Sequence, residues 1–310
     1  FLLFDYKGEF SDIQNNHWLS LFDVDRSCIL DPLTQPLPFT PFKDFTGRSI
    51  NEINLYSTEM SSALCSIDRV SASANMNNRL SEAIVEAYKS TNGAPISFEL
   101  MLKCYQSRMK DANNDDSISS VLKQLVNAHI FESEDKVSLI DDSYIIKMDG
   151  YPKDGPIAKA IVYFLMSKLN NIYELLDKQA VNDEVVQIRH FSIIDEAHYM
   201  LDFDNRPLRN LIAVGRNKGL SIILATQNMS SFKSKGFDFY ANAQYPLIMK
   251  QQTIDDKVIK DLFGVSGQEL QEIRTAIAGL QKGELIIKDQ MAFALGMGNK
   301  YKKINVSHLI

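Results

Sequence analysis

The stretch FSIIDEAH, residues 191–198, ends a run of apolar residues in two adjacent carboxylates, Asp195 and Glu196. Mostly apolar residues carry a strand through a core and present both acids at its tip. Paired carboxylates at such a place are costly unless they manage a cation or a proton. In one reading Asp195 holds a Mg2+ ion through its water shell beside a nucleotide, and Glu196 polarises an attacking water as general base. In the other, the two acids cap the next helix near its positive N-terminus. His198 reads as a helix residue, not as a metal ligand.

Two further polar residues follow in chain order. LATQN sets Gln227 at the tip of the next apolar strand, where it would sense a terminal phosphate and the attacking water, or else bond to a loop. VGRNKG sets Arg216 in the turn ahead of that strand. An arginine there would reach across a subunit interface to charge developing on a transferred phosphoryl group, or would make a surface salt bridge of little energetic weight. Each signal is weak by itself; the three in this order are a stronger one.

The elements that must position these residues are legible as texture. The chain opens on FLLFDYKGEF, a buried strand running into a polar loop at Asp5 and Lys7. An opening in mid-core predicts that further elements stand upstream of Phe1. Residues 16–50 are loop-rich, and DPLTQPLPFTPF, with four of the nine prolines, reads as an extended connector lying over a surface. A helical insertion follows over roughly 50–140. There Leu80, Ala83, Ile84, Ala87 and Tyr88 fall at helical spacing with Gly93 as a stop, and further helices are predicted over 97–108 and 117–128 around a solvated DANNDDS loop. From Ser143 strands and helices alternate. SYIIKMDG, HFSIID, LSIILATQN, YPLIMKQ and GELIIKD read as strands, and 156–178 as a long amphipathic helix striped by Ile157, Ile161, Phe164, Leu165, Leu169, Ile172 and Leu176. This pattern predicts an α/β fold with a parallel sheet and ligands at the carboxyl ends of its strands. The expected organisation is 1–50 as the start of the core, 51–142 as a mostly helical insertion and 143–310 as the rest of the core.

Composition narrows the function classes. The 310 residues carry a net charge of −6, which argues against a basic wrapper of nucleic acid but leaves room for a local basic pore. The basic-aromatic stretches KSKGFDFY (233–240) and NKYKKINV (299–306) read as solvated loops, with a DNA channel as the alternative. Cys28, Cys65 and Cys104 read as reduced thiols, too few and too widely spaced for zinc. No apolar run is long enough to span a membrane and no signal peptide is visible, so the expected location is cytoplasmic. Met291 and Met297 read as core filler.

In the order DYKGEF, helical insertion, IIDEAH, GRNKGLSIILATQN, the chain resembles the HerA/FtsK superfamily of P-loop motors, which includes conjugative coupling proteins and type IV secretion ATPases. The resemblance matches Asp5 to Glu9 with an Asp-x-Lys-Gly-Glu strand end and Asp195–Glu196 with the Walker B pair. It also matches Gly215, Arg216 and Gly219 with a Gly-Arg-x-x-Gly motif whose arginine acts in trans, and Ala225, Thr226 and Gln227 with the Ala-Thr-Gln strand. It implies a RecA-like parallel sheet with flanking helices, with Asp5, Lys7 and Asp195 at the cofactor and Glu196, Arg216 and Gln227 in catalysis. The implied cofactors are ATP and Mg2+, and the implied partners are double-stranded DNA and further copies of the chain in a ring. Overall texture is further similar to the ATPase part of phosphorothioation-dependent restriction proteins, which implies DptF- and DptG-type partner subunits. The departure is that no GxxxxGK[ST] occurs in the sequence. The P-loop strand and helix are therefore expected upstream of Phe1, and the chain alone is expected to bind nucleotide weakly. Without that strand, unpaired backbone is expected on its neighbours. The competing readings are a non-hydrolysing scaffold of the same fold, the motor of a DNA-transfer system and, ranked below them, a helicase named by DEAH.

Overall fold

The computed structural model describes residues 1–12, 14, 24, 28–67, 72–110, 114–182, 185–201, 203–227, 229–234, 237–296 and 300–306. Part of the expected DANNDDS loop (111–113), Asn228, residues 235–236, Met297 and Asn299 lie outside them. By internal contacts the chain forms two units, Phe1–Leu224 and Ala225–Ile310.

The first unit is built on β1 (Leu2–Asp5), β2 (Ile29–Leu30), β3 (Tyr144–Lys147), β6 (His190–Ile194) and β7 (Leu220–Leu224). A small antiparallel hairpin, β4 (Val181–Asn182) with β5 (Val185–Val186), stands apart from them. The five-stranded sheet runs β2-β3-β1-β6-β7, with every neighbouring pair parallel. LLF of β1 and YII of β3 are buried, the unbroken apolar texture of strands covered on both faces. The ladder is continuous, so the sheet's free backbone lies at its edges, β2 and β7.

Between β2 and β3 lie four helices, α1 (Ile50–Ile67), α2 (Ala74–Ser90), α3 (Phe98–Gln106) and α4 (Ser117–Ala128). Their starts are set by capping side chains. Ser73, Ser97 and Asp116 each accept a backbone N–H of the first turn, and Asp116 with Ser119 closes a reciprocal box. The predicted stripe Leu80, Ala83, Ile84, Ala87 and Tyr88 is wholly buried. Gly93 has φ +88, and its N–H bonds the Tyr88 carbonyl at 2.8 Å just past the end of α2.

Two expectations about packing change. The proline-rich connector does not lie over a surface: Leu37, Phe39, Phe42 and Phe45 are buried. The apolar residues between its prolines plug the interior. Helix α5 (Pro156–Leu175), opened by Pro156 after Gly155, is buried without a break from Ala158 to Ser167 rather than along one stripe. A helix apolar all round is an interior helix. Its Phe164 ring meets Phe42, Phe98 and Phe131 at centroid distances of 5.6, 5.3 and 5.9 Å, which ties connector and insertion to the core. After β6, α6 (Arg206–Val214) runs into a tight turn at Gly215–Lys218 and then β7.

The second unit holds a hairpin of β8 (Lys233–Ser234) and β9 (Phe237–Asp238), then α7 (Phe239–Asn242) and β10 (Leu247–Met249). These are followed by α8 (Asp256–Phe263), α9 (Gly267–Ala278), β11 (Glu284–Lys288), α10 (Gln290–Leu295) and β12 (Tyr301–Asn305). Its sheet, β10-β11-β12, is antiparallel, unlike the sheet of the first unit. Val258, Ile259, Leu262 and Phe263 of α8 pack with Ile273 and Ile277 of α9 onto Ile248 and Ile286. Met291 is exposed on α10 rather than filling this core.

Candidate active site

Asp5 and Asp195 come together through register. Leu2, Leu3 and Phe4 of β1 pair with Ser192, Ile193 and Ile194 of β6, so the residues that follow leave the sheet side by side at its carboxyl end. The Asp195 N–H reaches back to the Phe4 carbonyl at 3.4 Å.

Asp5 is fully buried, and its carboxylate organises the loop after β1. Oδ1 accepts the N–H groups of Lys7 (3.3 Å) and Gly8 (2.9 Å), and Oδ2 those of Phe10 (3.0 Å) and Ser11 (2.8 Å). Gly8 closes that loop with φ +75; a Cβ there would stand 2.7 Å from Asp149 Oδ2. The sequence reading placed Asp5 at the cofactor, and its visible work is to fold the loop that carries Lys7.

Lys7 Nζ contacts Glu196 Oε1 at 2.5 Å, and His198 Nδ1 stands 3.3 Å from Glu196 Oε2. Glu196 is only 4% exposed and holds a left-handed backbone, φ +48, ψ +42. For a residue with a Cβ such a conformation costs about 1 kcal/mol or more and persists where the surroundings enforce it. The hydrogen bond to Glu196 is the largest influence raising the Lys7 ammonium above the ordinary lysine range, against desolvation. Asp195 is partly buried, and its carboxyl is pushed up chiefly by that burial. The Glu196 N–H and the Lys7 charge pull it down, and the Glu196 and Asp5 charges push it further up. A carboxylate so placed gains from a cation, which fits Mg2+ held through water. Among the described residues there is no cluster of three or more His, Cys, Asp or Glu side chains arranged to cage a metal.

Arg216 stands elsewhere. It lies in the tight turn before β7, at the amino end of the sheet, whereas Asp195 and Glu196 follow the carboxyl end of the neighbouring strand. Five residues of strand separate those ends by about 16 Å. The Arg216 side chain is exposed and makes no ion pair among the described residues. The turn is held by Lys218, whose Nζ donates to the Tyr173 and Glu174 carbonyls at 2.6 and 3.0 Å, at the C-terminal end of α5. Gly219, at φ +83, completes it; a Cβ there would lie 2.7 Å from the Gln187 carbonyl oxygen. Gln227 is exposed, three residues beyond β7, and belongs to the second unit.

Lys7 as a partner of Glu196, and the buried His190 at the start of β6, were not singled out from the sequence. The first pairing joins residues 189 positions apart (196 − 7) and becomes visible only when β1 and β6 are laid side by side. Burial drives the His190 pKa down to about 4, helped by the charge of the Phe1 amino group and opposed by the Ile140 carbonyl.

No helix among the described residues is long and apolar enough to cross a membrane. No protein-family model and no curated protein matches the chain. Solved structures do. VirB4 of Thermoanaerobacter pseudethanolicus is similar over 99% of this chain and 81% of its own, with a TM-score of 0.63 at 14% identity. The plasmid coupling protein TrwB, solved with ADP and Mg2+, is similar over 99% of this chain and 85% of its own, with a TM-score of 0.51 at 12% identity. TrwB with the non-hydrolysable ATP analogue ADPNP gives a TM-score of 0.52 at 13% identity over 99% and 84%. At these identities the likeness is one of architecture, and this chain has the RecA-like α/β fold, with parallel sheet and flanking helices, that VirB4 and TrwB share.

Proposed function

We propose that this chain is part of an ATP-hydrolysing motor that acts on double-stranded DNA. The observation that carries the reading is the Asp195–Glu196 pair at the carboxyl end of β6, level with Asp5, on a fold like that of the nucleotide-bound coupling protein. Asp195 would hold Mg2+ through water and Glu196 would take the proton of the attacking water. The Mg2+–ATP complex supplies the reactive phosphoryl group, and the chain's part is to orient the water and hold charge around it. Arg216, exposed at the opposite end of the sheet, would serve the site of a neighbouring copy in a ring, and Gln227 would report on the terminal phosphate.

The finer assignment is to a DptH-type (DndH) restriction ATPase working with DptF- and DptG-type subunits, supported by sequence texture. A motor for DNA transfer is the second reading, favoured by the likeness to conjugative proteins. The test is ATP hydrolysis by the complete protein with and without double-stranded DNA. DNA-stimulated turnover, lost in Glu196→Gln, supports the motor. A folded protein that binds neither nucleotide nor DNA overturns it in favour of a scaffold.

A further inference from the structure

We propose that Lys7 is a ligand-responsive positioning residue that holds Glu196 before nucleotide binds and exchanges it for the phosphate oxygens of a bound nucleoside triphosphate, freeing Glu196 to meet the attacking water. The inference rests on the nucleotide reading above and adds a coupling between binding and readiness of the base.

Three observations carry it. Glu196 is covered, and both of its carboxylate oxygens face cationic or proton-bearing groups, Lys7 on Oε1 at 2.5 Å and His198 on Oε2 at 3.3 Å. Two of its roughly four acceptor sites are engaged in this way, and its burial leaves the carboxylate little access to an incoming water. Secondly, Lys7 is the accessible member of the pair. Its side chain is about one-third exposed, so an anion arriving at the strand ends meets Lys7 before Glu196. Thirdly, the loop that presents Lys7 is fixed by four amides on the Asp5 carboxylate. The backbone is therefore held while the flexible lysine stem can swing. The hydrogen bond to Glu196 and the charges of Glu196, Asp195 and Glu9 raise the Lys7 pKa, so the stem carries a full positive charge to any anion it meets.

Exchange implies linkage: whatever weakens the hold of Glu196 on Lys7 must strengthen binding of the anion that takes Lys7. The test is the affinity of the intact protein for Mg2+–AMP-PNP in wild type, Glu196→Gln, Lys7→Met and the double variant. The expected result is that Glu196→Gln tightens binding at least about fivefold, and that this gain disappears in the Lys7→Met background. An equal gain in both backgrounds would show only that Glu196 repels the phosphates, and overturns the exchange while leaving the nucleotide reading intact. A folded wild type that binds no AMP-PNP overturns the nucleotide reading and the exchange with it. Should Lys7→Met not fold, amine labelling of Lys7 decides the matter without it. Labelling should rise in Glu196→Gln and fall again with AMP-PNP; a Lys7 that the nucleotide does not protect in Glu196→Gln overturns the exchange.

Discussion

Arg216 and Asp195 stand at opposite ends of one parallel sheet, the first in the turn that enters β7 and the second just beyond the end of β6. About 16 Å of strand lies between those levels, so under the proposed function Arg216 would act on charge near the Asp195 of another copy. The expected outcome for Arg216→Ala is a loss of about 10³-fold or more in ATP turnover of the assembled protein, with unchanged thermal stability, because the side chain is exposed. Mixing Arg216→Ala with Glu196→Gln subunits should restore part of the turnover, since some interfaces then hold one intact half-site from each. Absence of any recovery in mixed rings would sink the trans role.

Glu196→Gln should retain Mg2+–ATP binding, tightened if Lys7 exchanges as proposed, and lower turnover by about 10²–10⁴-fold, the usual weight of a general base. Single-turnover hydrolysis beside equilibrium binding makes the distinction. Turnover within a few-fold of wild type would mean that another group takes the proton.

Asp195 offers a pH-dependent check. Burial raises its carboxyl pKa, so its native protonated form is favoured at low pH and that advantage is lost as pH rises through the raised value. Asp195→Asn should therefore stabilise the metal-free protein at pH 7, by about 1–2 °C in the melting midpoint, and give no gain at a pH below the ordinary carboxylate range. A gain that is the same at both pH values would place its cause outside the titration.

His190 predicts the opposite slope. Its pKa falls to about 4 from 6.5, so the unfolded chain binds a proton before the native one does. Stability present above pH 6.5 should be lost as pH falls towards 4, amounting to about 3 kcal/mol. His190→Phe should flatten that part of the urea-unfolding profile. An unchanged slope would assign the acid sensitivity to other groups.

Gly219→Ala should cost about 2 kcal/mol or more, since the backbone stands at φ +83 and the added methyl meets the Gln187 carbonyl at 2.7 Å. Thermal unfolding measures it, and a neutral result would mean that the turn entering β7 relaxes freely.

The parts legible in the sequence were those that obey local periodicity. α2 announced itself through Leu80, Ala83, Ile84, Ala87 and Tyr88, and the strand tip at Asp195 through the apolar run before it. What local pattern could not show was partnership across long separations. Phe42 and Phe164, 122 residues apart (164 − 42), convert a connector that reads as surface chain into part of the interior. The strand pattern of the second unit likewise suited a parallel sheet, because alternation of helix and strand does not encode direction. At the site, spacing identified Asp195 and Glu196 as a pair, but the ion pair with Glu196 comes from Lys7 in the loop after β1.

β7 has a consequence for handling the protein. Among the described residues it is the outer strand of its sheet, its sequence LSIIL carries neither charge nor proline, and Ile223 is 42% exposed, one step diagonally from Phe191 at 39%. Natural sheets blunt such margins with lysine, proline or a bulge, and this one uses none of them. Left uncovered, β7 is a template on which the apolar strand of another molecule can grow, so aggregation should begin there while the core is still intact. The concentration at which the protein stays dispersed is then set by how well that one margin is shielded, and a lysine at position 223 should raise it without altering the melting temperature.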